Sequence, residues 1–249
     1  MSMHRFGVDL PFAPPAARTQ EATRLYSCLW RDAEGRLMTQ ERHLPALPVL
    51  DAAHAAFAHG ALVSTSRGPV AVEDLLPGDM VVTAAGGAVP VVWIGSVTIG
   101  PDRSVESVEG TPLTRVMADA FGLGRPLADL VMGPGARLLS RPRRLRARIG
   151  ADGVLSPVHA MADGVHAIRM VSRQPVTFYH LALRRHAVIV VNGLETESFH
   201  PGAGFERGHD DATLRQIMAV FPHIPEPRDF GPLAQMRLPL DAPEALDLV

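Results

Sequence analysis

Lysine is absent from this chain, and all 24 basic side chains are arginine. A lysine general base and a Schiff-base lysine are therefore excluded. Cysteine is nearly absent as well. Cys28 stands alone, which rules out an intramolecular disulfide framework and a cysteine-rich zinc site. Asparagine occurs once, at Asn192. Neither sign of charge dominates: the 24 arginines face 26 acids, the net charge is −2 and the pI is about 6.6. No general field draws this chain to nucleic acid or to an anionic membrane. Several catalytic patterns are missing too, among them HExxH, GxxxxGK[ST], GxSxG and a GxGxxG that opens a helix after a strand. Gly122-Leu123-Gly124-Arg125 is too short a glycine match to hold a nucleotide.

The chain has 249 residues, 47% of them hydrophobic, enough for one sizeable core or two small ones. Residues 1–20 carry His4, Arg5, Asp9 and several prolines without an apolar run. They read as a disordered arm and not as a secretory leader, so a cytoplasmic protein or leaderless export is expected. The longest uncharged stretch, Met80–Pro101, contains Gly86-Gly87, Pro90 and many valines. Two strands joined by a tight turn fit it better than a membrane-spanning helix, and a soluble protein follows.

Residues 25–43 predict a hairpin, with Tyr26, Cys28 and Trp30 on one face and Asp32-Ala33-Glu34-Gly35 as its turn. Pro45 and Pro48 are expected to close it. Short strand candidates follow at Ala61–Thr65, Met80–Thr83, Val89–Ile99, Leu138–Arg148, Val165–Val171, Val176–Leu183 and Ala187–Val191. Turn residues separate them, the pattern of an all-β sandwich or barrel-like domain. Glu73–Leu76 predicts a helical turn. So does Ser156–Met161, with Ser156 as N-cap and Pro157 at the first helical position. After His200, Asp210-Asp211-Ala212-Thr213 opens a helix whose stripe Leu214, Ile217, Met218 and Phe221 packs on the β domain. The tail from Pro222 reads as irregular.

Three features invite chemistry, each with a structural alternative. His159 and His166 flank a turn, while His180 and His186 stand near each other in sequence, yet no carboxylate or thiolate sits beside them at ligand spacing. Single histidines bonded to backbone are the simpler reading, and no metal is expected. Arg141–Arg148 packs five arginines, and alternation would set Arg144, Arg146 and Arg148 on one face as an anion-contacting strip. A solvated hairpin edge protected by charge explains the same residues without stacking aromatics. Asn192-Gly193 can cyclise to a succinimide, but Asn-Gly is foremost a two-residue hairpin signal.

Several segments together resemble the Hint (hedgehog/intein) domain family, in its bacterial Hint-2 form. The first is AFAHGALVSTSRGPVAVEDLLPGDMVVTAAGGAVPVVWIG, in which Glu73-Asp74-Leu75, Gly78-Asp79 and Trp93-Ile94-Gly95 match the family's V-E-D-L-x-x-G-D and W-I-G elements. The second is DLVMGPGARLLS, similar to the strand-turn-strand that carries a Ser/Thr-x-x-His element. The third is TFYHLALRRHAVIVVNGLETESFHPG, similar to the last hairpin and its T-E-S-F exit. The resemblance covers residues 55–202, with Ser140–Gly153 as a possible inserted hairpin. It implies an all-β Hint fold, here with an N-terminal β-hairpin and a short C-terminal helix. The expected organisation is an arm and hairpin over residues 1–50, a Hint-like domain over 51–202 and a helix with a proline-rich tail over 203–249.

The resemblance also implies a mechanism. In active members a cysteine thiol attacks the preceding carbonyl and converts the peptide bond to a thioester, assisted by a histidine. Here the nucleophile position matches Ala56, and the Ser/Thr-x-x-His element falls on Gly133-Pro134-Gly135-Ala136. His186 matches the distal histidine. Ala56, Gly133, Ala136 and His186 are thus vestigial positions, and His59, His186 and Asn192 are candidates for a remaining cleft. The expected function is a scaffold or binding module that has lost autoproteolysis, a pseudoenzyme without a cofactor. The alternative is residual intein-like self-cleavage. The expected partner is a peptide or the chain's own N-terminal segment.

Overall fold

A computed structural model describes residues 23–100, 111–141 and 152–238. The N-terminal arm and the arginine strip Arg144, Arg146 and Arg148 lie outside these residues. The described chain begins with a hairpin, β1 (Thr23–Arg31) and β2 (Leu37–Pro45), followed by helix α1 (Pro48–His54). Five strands follow: β3 (Phe57–Ala58), β4 (Leu62–Thr65), β5 (Gly68–Ala71), β6 (Met80–Val82) and the long β7 (Ala88–Ile99). Next come β8 (Leu113–Val116), β9 (Leu130–Met132), β10 (Arg137–Ser140) and β11 (Val154–Pro157). Then follow β12 (Ala167–Met170), β13 (Val176–Leu183), β14 (Val188–Val191) and β15 (Leu194–Glu197). Helix α2 (Asp211–Met218) and the short β16 (Met236–Arg237) complete the described elements.

Strand β7 is the spine. Its first residues pair with β6, while Ile94–Val97 lie between β1 and β13. One sheet therefore runs β12-β8-β9-β3-β13-β7-β1-β2. The other contains β4, β5, β6, β14, β15, β10, β11 and β16. A register shift in β13 at Ala182/Leu183 bends the ladder where β7 changes sheets. The uncharged run is thus two strands and a turn, as its glycines predict. Among the described residues no helix is long and apolar enough to cross a membrane.

The period of two along β7 separates two cores. Ile94 enters the first, with Ala56, Phe57, Val63, Val81 and Met132. Trp93, Val97 and Ile99 enter the second, with Tyr26, Leu50, Phe178, Phe199, Ile217 and Phe221. The second core is where the segments before and after the central domain meet. Each large apolar side chain they bury there contributes about 1.5–3 kcal/mol. The indole of Trp93 lies over Gly95 and donates from Nε1 to the Val220 carbonyl at 2.8 Å, which fastens the end of α2. On the other side, Asp51 of α1 accepts from Arg24 at 2.5 Å and from the Tyr26 hydroxyl at 2.7 Å.

Three local expectations change. Pro48 does not end a segment but starts α1, because a proline at the first helical position loses no hydrogen bond. Ser156 caps nothing: it lies in β11, bonded side chain to side chain with Ser140, and the 3-10 turn Val158–Met161 has no side-chain cap. The tail is not wholly irregular, since β16 pairs parallel to β11 at Val154 and Leu155. The helix signal near Asp210 is as read, with Asp210 Oδ1 accepting from the Thr213 amide at 2.7 Å.

His54 and His180 are buried in or beside the second core. Each donates from Nδ1 to a carbonyl, Leu50 and Ala52 respectively, at 2.8 Å, and each leaves Nε2 without a partner. Loss of hydration holds both neutral, with pKa values lowered to about 4. His200 and His223 are lowered to about 4 by the same cause.

Two outcomes are expected. An added Cβ at Gly95 would fall inside the Trp93 ring and 2.8 Å from His54 Cδ2. Gly95→Ala should therefore cost about 1–3 kcal/mol or more of stability, read as a lower urea midpoint. The second outcome concerns acid. Between the ordinary histidine pKa of about 6.5 and the folded value of about 4, the unfolded chain takes up protons that the native chain refuses. Stability should be complete above that window and fall through it as pH drops. Urea midpoints at pH 7 and 4.5 measure the fall, and His180→Asn should reduce the difference.

Candidate functional site

The site is built around the peptide bond between Ala55 and Ala56, just after α1. Neither residue exposes any surface, and Ala136 is 1% exposed. The Ala55 carbonyl accepts from the Gly135 amide at 2.8 Å, and the Ala56 carbonyl accepts from the Gly133 amide at 2.9 Å. The Ala56 amide donates to the Tyr179 carbonyl at 3.1 Å, and the Ala136 amide donates back to the Gly133 carbonyl at 3.1 Å. The loop at residues 133–136 therefore closes directly on residues 55 and 56; Ala56 and Ala136 lie in the first core and Ala55 in the second.

Glycine makes that approach possible. A Cβ at Gly133 would meet the Ala55 carbonyl, whose carbon lies 2.8 Å away, and one at Gly135 would meet the Ala52 carbonyl, its carbon also at 2.8 Å. A serine or threonine at position 133 would force the loop off the Ala55 carbonyl. The expected open cleft at Ala56 and Ala136 is not found there, because methyl groups and backbone fill the space. What remains beside the Ala55 carbonyl is one amide donor and the Ala56 methyl.

Other candidate groups are committed elsewhere. His186 donates from Nε2 to Glu197 Oε1 at 2.9 Å and accepts at Nδ1 from the Ala234 amide at 2.8 Å, a pattern that fixes its neutral tautomer. Glu197 Oε1 also accepts from Arg237 Nε at 2.6 Å, and Arg137 Nε stands 3.7 Å from Oε2. Burial pushes the Glu197 carboxyl up, but His186 and Arg237 together pull it below its ordinary range. His186 is thus a buried clasp for the tail. His59 is exposed and turns to Glu73, Nδ1 to Oε1 at 2.5 Å, while Glu73 Oε2 accepts from the Gly60 amide at 2.9 Å. The Glu73 carboxylate thereby shapes the turn after β3, and Asp79 shapes the next one by accepting from the Leu76 amide at 2.9 Å.

Asn192 has a positive φ of 48° and Gly193 one of 79°, the backbone of a tight hairpin turn between β14 and β15. The Asn192 side-chain oxygen accepts from the Leu62 amide at 2.7 Å. His59, His186 and Asn192 therefore have separate partners and do not converge. Arg141, the described member of the arginine run, forks onto Glu195. Cys28 is buried and its thiol is pushed up to about 11 by loss of hydration, which makes it a poor nucleophile. Among the described residues no group of three or more histidine, cysteine or acidic side chains is arranged to hold a metal ion.

Two groups acquire a place beside the site that the sequence reading does not assign them. His180 meets the edge of Phe57 at 5.7 Å and bonds to Ala52, so it is the imidazole packed against the segment that carries Ala55. Strand alternation with Phe178 and Ala182 signals its inward direction. Glu197 lies within the T-E-S-F segment, but its partners Arg137 and Arg237 are 60 and 40 residues away in sequence, and no local pattern announces them.

The MchDnaB-1 intein and its N145AA variant each align at 15% identity over 58% of this chain and 100% of theirs, with TM-scores of 0.37. The Msm DnaB1 intein splicing domain bound with zinc aligns at 14% identity over 58% of this chain and 100% of that one, with a TM-score of 0.32. No curated protein sequence matches. The family described as Hint domain matches residues 55–203, the span from the buried Ala55 to just past the Thr-Glu-Ser-Phe segment. The chain belongs to the Hint domain family.

Proposed function

We propose that this Hint domain has lost self-cleavage and serves as a stable scaffold or binding module. The observation that supports this most is the state of the Ala55–Ala56 bond. It is fully buried and bonded through its carbonyl to Gly135, and the residue that should attack it carries only a methyl group. An N-to-S or N-to-O shift needs a nucleophile on the residue after the scissile carbonyl and an acid to release the amine. Ala56 supplies no nucleophile, and Ala136 supplies no proton. His180 is near but held neutral, and its Nδ1 is occupied by the Ala52 carbonyl.

The upstream segment supports the same reading. In this proposal the partner of the former active face is the chain's own residues 23–54. Strand β1 extends the sheet through β7, and α1 buries Leu50 and Ala53. Cutting after Ala55 would sever this packing from the domain. The likeness to inteins by itself transfers no activity.

The test is direct. The full chain, incubated for days near pH 7 with and without a thiol, should keep a single intact mass. Ala56→Cys alone should stay intact as well, since no imidazole at position 136 assists its thiol. Release of a fragment ending at Ala55 from the unaltered chain would overturn the proposal and favour residual autoprocessing.

A further inference from the structure

Two cavities lie against the tail segment that follows the family-matched residues, one of about 660 Å³ and one of about 490 Å³. Arg184, His186, Asp229 and Phe230 line both of them. Asp229–Ala234 forms one wall, so the concavity comes from this chain's own extension and not from the matched residues 55–203 alone. Three bonds hold the wall: the Ala234 amide to His186 Nδ1 at 2.8 Å, His200 Nε2 to the Gly231 carbonyl at 2.9 Å and Arg237 to Glu197 at 2.6 Å. Both volumes fall in the range of small-molecule sites, about 300–1,000 Å³.

The lining has two characters. Val89, Leu139, Phe230 and Leu233 give the larger cavity much of its apolar lining. At the turn between β13 and β14 stand Arg184 and Arg185, both exposed, and Arg185 faces the larger cavity with Arg184. Three of the other charged groups there are already matched. Arg141 is spent on Glu195, Arg31 donates to the Pro77 and Gly35 carbonyls at 2.7 Å, and Asp32 is paired with Arg36 at 2.7 Å. Asp229 accepts from the Glu226 amide at 3.1 Å and, among the described residues, has no cationic partner, so it keeps one negative charge at the wall of both cavities. Among the described residues, the guanidinium groups of Arg184 and Arg185 have no carboxylate or carbonyl partner.

Arg184 and Arg185 bring two positive charges to the rim of the larger cavity against the single carboxylate of Asp229. A carboxylate or phosphate received by both arginines fits the planar donor fork. An aliphatic body beside it would displace water from the apolar lining. We propose that the larger cavity is a binding site for a small amphiphilic anion, a carboxylate or phosphate head on an aliphatic body. Arg184 and Arg185 receive the head, and Phe230 with Leu233 covers the body. The inference is independent of whether the Ala55–Ala56 bond is ever cut.

Titration calorimetry on the full chain tests it, with octanoate and octyl phosphate as probes and octan-1-ol as the uncharged control. The anions should bind at least about tenfold more tightly than octan-1-ol, a difference of about 1.4 kcal/mol. The better of the two anions identifies the head group. Arg184→Gln/Arg185→Gln should weaken anion binding at least about tenfold while the melting temperature stays that of the parent, because among the described residues neither guanidinium has a carboxylate or carbonyl partner. Phe230→Ala should weaken the anions and the alcohol alike. The proposal is overturned if no probe binds, if octan-1-ol equals octanoate, or if the folded double variant keeps full affinity for both anions.

Discussion

The absence of a side chain at Gly95 is the constraint on which the second core depends. Trp93 folds its indole into the space a Cβ would take, and from there its N–H reaches the Val220 carbonyl. His54 of α1 packs against the same ring at a centroid distance of 5.3 Å, and Phe221 packs against it at 4.9 Å. One aromatic ring thus joins three parts of the chain: the segment before the Hint residues, the central sheet and the segment after them. The Trp-Ile-Gly triplet is a packing device here, and its glycine is required by the tryptophan two residues before it.

The same economy is visible at Ala55 and Ala56. Small residues on both partners let two backbone segments approach closely enough to exchange hydrogen bonds, and methyl groups complete a dry core. Polar side chains gather elsewhere, at the buried Glu197 cluster and along the arginine-lined cavities, where segments beyond residue 203 supply several of the partners. Arg137 belongs to that cluster. It follows Ala136 directly, yet its guanidinium turns to Glu197, and burial lowers its pKa to about 10.

Much of this was legible in the residues, for reasons that can be named. Val176–Leu183 is rich enough in β-branched and aromatic residues to mark β13, and Asp210 announces α2 through a side-chain acceptor placed three residues before the Thr213 amide. Ala56 and Ala136, matched in the sequence to two separate family elements, lie together, and Gly133 links them by backbone bonds. What stayed hidden was non-local or ambiguous. Pro48 suits a helix start as well as a terminator, and only the Asp51 bonds to Arg24 and Tyr26 decide between them. Ser156 followed by proline looks like a cap until β10 claims it for a ladder. His186 reads as a cleft candidate in the sequence because its two partners, Glu197 and Ala234, come from a neighbouring strand and a distant tail.

The addition of β1 and α1 to the body has a consequence for how small this protein can be. Tyr26, Cys28, Leu50 and Ala53 are as much a part of the interior as Trp93. A fragment trimmed to the family's borders would open that greasy flank to water and leave the edge of β7 unpaired, an invitation to clump with its neighbours. The smallest piece able to stand alone is therefore larger than the module it was inherited from.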